Sequence, residues 1–264
     1  MIALAVGALV AGGMPFTLFW LSAALAIHFE WQSLVAEKNG RARLLAGGAG
    51  IAIAAAFAAQ LGYDIALVLT GIAALATGAL AERGRKLWAG AGVFYAAALI
   101  IAICALRPPI HEMIDTPFAL RAIIWLFAVV WGTDIAAYFV GRIVGGPKVW
   151  PALSAGKTWS GTLGGIAVGA ALGVAVVAID PVVAVRFAPV FLLGLVCSAG
   201  SQMGDFFESA VKRHFGVKDS SNLIPGHGGF MDRLDGFVAA AVLAAILGYA
   251  RYPLRPSEGL LLWP

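Results

Sequence analysis

The chain has 264 residues, of which 61% are hydrophobic and 12% are charged, and its mean hydropathy is +0.90. Soluble domains are usually about half apolar and about a quarter charged, so a soluble globular protein is excluded. We predict an all-α, polytopic integral membrane protein. The net charge of +4 fits cationic loops on one side of a bilayer better than nucleic-acid binding.

The apolar sequence falls into runs that predict eight or nine transmembrane helices, because the runs lack the period-two alternation of membrane strands. In chain order they are Ile2–Gly12, Phe16–Leu34, Leu44–Leu61, Ile65–Leu80, Leu87–Leu106, Pro117–Val140, Trp159–Ile179, Val182–Gly204 and Phe237–Ala250. The first run is short for about 30 Å of hydrocarbon, so it either spans or lies half embedded. We predict one transmembrane domain, with an N-terminal scaffold at 1–125 and a catalytic half at 126–250.

The distribution of basic residues predicts the orientation. With a cytoplasmic N-terminus, the loops after every second run carry 13 of the 18 Lys and Arg residues, as the positive-inside rule requires. Both polar, glycine-rich loops, 141–158 and 205–235, then face the cytoplasm. Within the seventh run, Gly165 and Gly169 form a G-x-x-x-G pair that predicts close helix packing.

The loop 205–235 concentrates charge in an otherwise apolar chain, which marks it as the functional region. Asp205, Asp232 and Asp235 lie at the two helix ends that flank it. Mg²⁺ prefers oxygen ligands and often takes one or two carboxylates with substrate phosphates. We therefore predict that these three carboxylates bind Mg²⁺, with a second cation as an open alternative.

Cations of the same loop predict binding of phosphate groups, since Arg binds phosphate as a fork and Lys as a point charge. They are Lys212, Arg213, Lys218 and Arg233. Between them, Pro225–Gly229 forms a flexible turn whose bare backbone can approach a phosphate. His227 alone would more often be a loop histidine than a catalytic group, and His214 is interpreted as structural.

The loop 141–158 offers a second set of polar groups. Asp134 lies in the apolar run before it and is a functional candidate because it is an intramembrane carboxylate. The Gly156-Lys157-Thr158 triplet is not a P-loop, since proline stands at 151 where the first glycine would be. Ser154, Lys157 and Thr158 are still predicted to contact phosphate at the start of a helix.

These motifs resemble the phosphatidate cytidylyltransferase family, also called CDP-diglyceride synthetase. The signature residues present are Ser209, Lys212, Arg213, Lys218, Asp219, Pro225, His227, Gly228, Gly229, Asp232, Arg233 and Asp235. Upstream, Asp134, Ser154, Lys157-Thr158-Trp159, Gly204-Asp205 and Glu208 also match, and Glu30-Trp31 is a weaker likeness. Ala155 and Ser160 depart from the family, which usually has Pro and Glu there.

The resemblance implies a Mg²⁺-dependent nucleotidyltransferase of the cell inner membrane that makes CDP-diacylglycerol and pyrophosphate from CTP and phosphatidic acid. It implies that Asp205, Asp232 and Asp235 bind the metal and that the four cations of the loop bind the triphosphate and the lipid phosphate. His227, Gly228 and Gly229 would shape the loop over the nucleotide, with Ser209 beside it. Asp219 would either bind metal or orient Lys218. The family further implies a homodimer.

Three other classes remain as alternatives. The first is another CTP-using membrane enzyme, such as a polyprenol kinase or a transferase acting on an ether lipid. The second is a transporter, which lacks support because the first half has no polar breaks to match those of the second. The third is a structural scaffold, which would have no use for the charges of one loop.

Overall fold

The computed structural model describes residues 2–35, 40–109, 117–179, 185–224, 226 and 228–263. These residues form ten helices and one small hairpin, so the prediction of an all-α membrane fold is confirmed. The helices are α1 Ile2–Ala11, α2 Gly13–Val35, α3 Gly40–Ala58, α4 Tyr63–Ala79, α5 Lys86–Leu106, α6 Pro117–Val144, α7 Trp159–Ile179, α8 Phe187–His214, α9 Met231–Arg251 and α10 Pro256–Leu261.

Of the described helices, six are long and apolar enough to cross a membrane, namely α3 and α5 to α9, and α4 is apolar but shorter. An apolar chain in lipid forms helices because every backbone hydrogen bond is then made within the segment. The protein is therefore a multi-pass membrane protein. The exact number of crossings stays a prediction.

Two helices extend beyond their predicted ends into the charged region. We predicted that the eighth run ends at Gly204, but α8 continues to His214, and α9 begins at Met231 rather than at Phe237. Hydropathy ends a run at the first charges, whereas a helix continues where charges four residues apart attract each other. Glu208 and Lys212 form such a pair, with 2.6 Å between Oε2 and Nζ. Gly216, at a φ of 70°, follows the end of α8.

The loop 141–158 contains an antiparallel hairpin that the sequence did not predict. Strand β1 is Lys148–Trp150 and β2 is Ser154–Thr158, with Lys148 opposite Thr158 and Trp150 opposite Ser154. Two glycines with positive φ, Gly145 and Gly146, end α6 just before β1. The predicted phosphate-contacting residues at 154, 157 and 158 thus lie on a strand that leads directly into α7.

The chain divides into two compact units. The first consists of Met1–Ile114 and His214–Leu234, and the second of Asp115–Arg213 and Asp235–Pro264. The first unit holds α1 to α5 and the segment from the end of α8 into the first turn of α9. The second holds α6, the hairpin, α7, α8, most of α9 and α10. The predicted division at residue 125 stays a prediction.

The second unit is built on a close contact between α6 and α7. Four glycines spaced four residues apart, Gly161, Gly165, Gly169 and Gly173, face α6 along one side of α7. A Cβ at the first three would lie 2.6 to 2.7 Å from carbonyl oxygens of α6. The predicted packing role of the G-x-x-x-G pair is confirmed, and it extends over three turns.

Helix α10, which the sequence did not predict, lies buried against α6 in the same unit. Arg251 at the end of α9 fixes it, because its guanidinium donates hydrogen bonds to the carbonyl oxygens of Gly259 and Leu262. The same guanidinium lies 3.4 Å from the centroid of the Trp263 ring. The C-terminal segment is thereby part of the folded unit.

Candidate active site

A cavity of about 590 Å³ opens in the second unit between α6, the hairpin, the start of α7 and α8. Its wall includes the predicted residues Asp134, Ser154, Lys157, Thr158 and Asp205, together with Arg142 and Lys148. Residues far apart in sequence therefore meet here, because α6, β2 and α8 each contribute one side. The cavity has the size of ordinary small-ligand sites.

One cation and one carboxylate of the cavity wall form an ion pair. The ammonium of Lys157 forms an ion pair with a carboxylate oxygen of Asp205 and lies 4.8 Å from the centroid of the Phe206 ring. The side-chain amide of Gln202 donates to Asp134, at 3.4 Å. Carboxylates and cations thus share one wall, as a site for anionic oxygens and a hard cation requires.

Helix α7 begins with a cap supplied by the strand before it. The hydroxyl of Thr158 accepts a hydrogen bond from the N–H of Gly161 at 3.1 Å, which makes it the N-cap. Ser160 donates to the carbonyl oxygen of Gly145 and so ties the end of α6 to the start of α7. At position 160, where the family usually has a glutamate, this chain therefore has a serine that connects two helices.

Asp235 lies in the second unit, near the start of α9. Its carboxylate accepts the N–H of Gly236 at 2.9 Å, and Asp205, Glu208 and Lys157 are close enough to interact with it electrostatically. A Cβ on Gly236 would lie 2.7 Å from Asp205 Oδ1, so the glycine leaves room for that carboxylate. Asp205 and Asp235 are therefore neighbours, as the predicted metal set requires.

Glu208 lies three residues after Asp205, and we considered it with the three aspartates as a cation ligand without assigning it to the Mg²⁺ set. It is buried and pairs with Lys212, one of the predicted phosphate ligands. Its position four residues before a lysine in a helix was the available signal. Among the other predicted residues of this unit, Arg213 is exposed and Ser209 is half-buried.

In the first unit, the signature segment folds around two carboxylates. Asp232 accepts hydrogen bonds from the N–H of Ser220 at 3.0 Å, the hydroxyl of Ser220 at 2.9 Å and the N–H of Gly229 at 2.7 Å. Gly229 lies three residues before Asp232, so the hydrogen bond between them resembles the one in a capping box, where a side chain accepts the backbone N–H of the residue three positions earlier. Asp232 thus fixes the turn that leads into α9.

The second carboxylate is Glu30 of α2, which is 0% exposed. It accepts the hydroxyls of Ser220 and Ser221 and the N–H groups of Phe230 and Met231. The sequence analysis treated Glu30 only as part of a weak family likeness. An ionisable residue inside an apolar helix was the signal that marked it.

The other described signature residues of the first unit lie at its surface or in tight turns. Lys218, Asp219 and Arg233 are exposed. The N–H of Ile224 donates to the carbonyl oxygen of Gly228 at 2.9 Å, and Gly228 has a φ of 78°, which favours glycine. His214 stacks on Trp88 with ring centroids 4.6 Å apart, as its structural interpretation predicted. Pro225 and His227 lie outside the described residues.

No group of three or more His, Cys, Asp and Glu side chains is arranged as a metal site within the described part of the chain. The predicted set is divided between the units, with Asp205 and Asp235 in the second and Asp232 in the first. Metal binding by the three residues stays a prediction.

Comparison with known proteins assigns the class. A family model described as the cytidylyltransferase family matches residues 1–250. The phosphatidate cytidylyltransferase of Brucella suis is 44% identical over 248 residues, which cover 90% of this chain and 85% of that protein. The phosphatidate cytidylyltransferase of Brucella abortus is 43% identical over the same shares. That of Bacillus subtilis is 37% identical over 56% of this chain and 54% of its own length.

The fold and the polar cavity define a membrane-embedded protein whose site suits anionic ligands. The chain belongs to the cytidylyltransferase family and is a nucleotidyltransferase.

Proposed function

We propose that this nucleotidyltransferase transfers CMP from CTP to phosphatidate and forms CDP-diacylglycerol and pyrophosphate for phospholipid synthesis. The observation that carries the proposal is the cavity of the second unit, where Asp134 and Asp205 share a wall with Arg142 and Lys157. A site with both charge signs, set among membrane helices, suits a reaction between a nucleotide and a lipid. The names of the relatives support the same substrates.

The chemistry asks mainly for positioning and charge compensation. An ionised oxygen of the phosphatidate phosphate forms a bond to the α-phosphorus of CTP. The bond from that phosphorus to the oxygen bridging to the β-phosphorus breaks, and pyrophosphate leaves with the electron pair. Because the lipid phosphate is already ionised at neutral pH, no strong general base is needed. The protein has to hold two anions together and stabilise the charge on the leaving group.

Asp205 and Asp235 fit Mg²⁺ by the chemistry of their donors. Both offer carboxylate oxygens, which Mg²⁺ prefers, and two carboxylates suffice where substrate phosphates complete the coordination. When bound, Mg²⁺ would neutralise charge on the phosphates. The contact between Lys157 and Asp205 supports the placement, because it marks a position where this carboxylate holds a cation. The role of Asp232 and a second cation remain part of the same proposal.

The cations are assigned to the phosphates. Lys157, from the cavity wall, would bind CTP or lipid phosphate, and Ser154 would add a hydroxyl beside it. Lys212, Arg213, Lys218 and Arg233 would bind the triphosphate and the lipid phosphate. We further assign contacts near the phosphates to Thr158, Ser209, Gly228 and Gly229. His227 is proposed to shape the loop over the nucleotide, and Asp219 to bind metal or orient Lys218.

We propose that the active site faces the cytoplasm, where CTP is found, because the positive-inside rule predicts that side for the segments that carry most of the Lys and Arg residues. Phosphatidate would then enter sideways from the bilayer, with its acyl chains between helices. A homodimer is proposed from the family resemblance.

The test is product identification by mass. Purified protein in detergent is incubated with CTP, phosphatidate and Mg²⁺, and the lipid extract is analysed together with the released anion. We expect CDP-diacylglycerol and an equal amount of pyrophosphate. Release of CDP with a lipid that has gained only a phosphoryl group would overturn the proposal in favour of a lipid kinase. The matched control omits phosphatidate and should give neither product.

A further inference from the structure

Glu30 is a buried carboxylate whose partners all belong to the signature segment. The distances to its oxygens are 3.1 Å from Ser220 Oγ, 2.7 Å from Ser221 Oγ, 2.8 Å from Phe230 N and 2.7 Å from Met231 N. The two serines precede the glycine turn and the two N–H groups follow it. One side chain of α2 therefore joins the two ends of the segment 220–231.

This arrangement suits an ionised carboxylate. Met231 is the first residue of α9 and Phe230 precedes it directly, and backbone N–H groups at the start of a helix lack partners within the helix. A negative charge is favoured there by the helix dipole and by hydrogen bonds to a charged acceptor. Each oxygen of Glu30 has two donors within hydrogen-bond distance, which compensates for the loss of water around a fully buried group.

Ser220 connects Glu30 to a signature carboxylate. Its hydroxyl lies 3.1 Å from Oε2 of Glu30 and 2.9 Å from Oδ2 of Asp232. A hydroxyl has one proton to donate, so it serves one carboxylate at a time while its position is set by both. A Cβ on Gly229 would lie 2.1 Å from Ser220 Oγ and 2.5 Å from Glu30 Oε1, so the glycine of the signature leaves the space that this network fills.

We infer that Glu30 is a positioning residue, which holds the signature segment 220–231 and, through Ser220, sets the orientation of Asp232. The inference rests on the proposed function only for its effect on activity. Its structural part concerns the segment itself. It gives α2, which carries no residue of the signature motif, a direct part in presenting that motif.

The test replaces Glu30 with glutamine, which keeps the shape but changes the acceptors. A glutamine side chain has one acceptor oxygen and one NH₂ group, which can only donate. The NH₂ group would face hydrogen-bond donors of the signature segment, so at least one of those donors would lose its acceptor. We expect the N–H groups of Phe230 and Met231 to exchange with deuterium roughly tenfold faster in Glu30→Gln, because an unmatched buried donor weakens the local structure. We also expect kcat to fall by about tenfold or more.

The matched control is Gln32→Leu on the same helix. Gln32 is buried and donates to the carbonyl oxygen of Ala89 at 2.8 Å, within the same unit but away from the signature segment. This variant should lower the melting temperature without changing exchange at 230 and 231. Glu30→Asp keeps the charge and should restore part of the activity lost in Glu30→Gln.

The outcomes separate the inference from the proposed function. If Glu30→Gln keeps wild-type exchange at 230 and 231, the inference is wrong whatever the activity. If the wild type makes no CDP-diacylglycerol but exchange rises in the variant, the proposed function fails and the structural role stands. If Glu30→Gln does not fold, Ser221→Ala removes one donor to Glu30 and should raise exchange at 230 and 231 by a smaller factor. Unchanged exchange there would overturn the inference.

Discussion

Two carboxylates of each unit are held by different kinds of donor. In the first unit, Glu30 and Asp232 accept hydrogen bonds from backbone N–H groups and serine hydroxyls. In the second, Asp205 and Glu208 are paired with the ammonium groups of Lys157 and Lys212. Neutral donors fixed in the backbone hold a segment in place. A lysine at the end of a flexible chain cancels the charge and can be exchanged for another cation.

The difference separates two tasks within the proposed reaction. Carboxylates held by the backbone fix the geometry of the signature turn. Asp205, which pairs with a lysine, lies where Mg²⁺ and phosphates are proposed to bind, and Lys157 and Lys212 are themselves proposed phosphate ligands. Replacement of the two kinds of residue should therefore affect activity and stability in different proportions.

The largest effect is expected for Asp205→Asn. The variant removes the charge that pairs with Lys157 and that is proposed to bind Mg²⁺, so CDP-diacylglycerol formation should fall by about 100-fold or more. The rate of product formation at saturating substrates measures it. Asp64→Asn is the matched control, since Asp64 is exposed in the first turn of α4. Activity of Asp205→Asn within a few-fold of wild type would contradict the assignment.

Lys157→Met should be the next most severe change. It removes the cation from Asp205 and from the cavity wall, and we expect kcat/KM for CTP to fall by roughly 10- to 100-fold. A full titration of CTP at fixed phosphatidate measures it. Lys86→Met, at an exposed lysine at the start of α5, should have little effect. Equal losses in both variants would show that general charge, rather than this contact, matters.

Ser220→Ala tests the unit whose carboxylates have neutral donors. It removes the hydroxyl between Glu30 and Asp232 but leaves the N–H of Ser220 on Asp232. We expect a stability loss of about 1 kcal/mol, typical of one hydrogen bond, and a loss of activity of less than tenfold. Thermal unfolding and product formation measure the two effects. Ser33→Ala removes an exposed serine whose hydroxyl donates to the carbonyl oxygen of Phe29 in its own helix, and it serves as the control.

Thr158→Ala is expected to have the smallest effect on activity. The loss of an N-cap hydroxyl costs about 1 kcal/mol, so the melting temperature should fall by a few degrees, and Thr158→Ser should be close to wild type. A rise in KM for CTP in the alanine variant would support the proposed phosphate contact of Thr158, and an unchanged KM would leave its hydroxyl with the capping role alone. This prediction distinguishes a capping hydroxyl from a phosphate ligand at one position.

The sequence predicted the helices well, because an apolar segment in lipid satisfies all its backbone hydrogen bonds within itself only as a helix. It predicted the end of α8 and the start of α9 poorly. Charged residues such as Asp205 and Lys212 lower the local hydropathy and so suggest a loop, although both lie within α8. The hairpin at 148–158 was missed because its strands are short and contain Gly156 and Ser154, which are weak strand formers.

The candidate site was predictable where chemistry and spacing coincide. Asp205, Lys157 and Asp134 were singled out by charge in an apolar chain, and the structure places them around one cavity. Glu30 acquired a role only from tertiary contacts with residues about 190 to 200 positions away. No local pattern encodes a contact of that separation, and only the rule that buried charges need a reason pointed to it.

The glycine face of α7 has a consequence for mutations far from the cavity. Lys157 and Thr158 lie immediately before α7. The position of their strand therefore depends on the distance between the backbones of α6 and α7. A larger residue at Gly169, where a Cβ would lie 2.1 Å from Thr133 Oγ1, would push the two backbones apart. Gly173 lies about 18 Å along the helix from Gly161, at about 1.5 Å per residue. Substitutions that deep in the bilayer should therefore reduce catalysis by moving an ammonium group that they never touch.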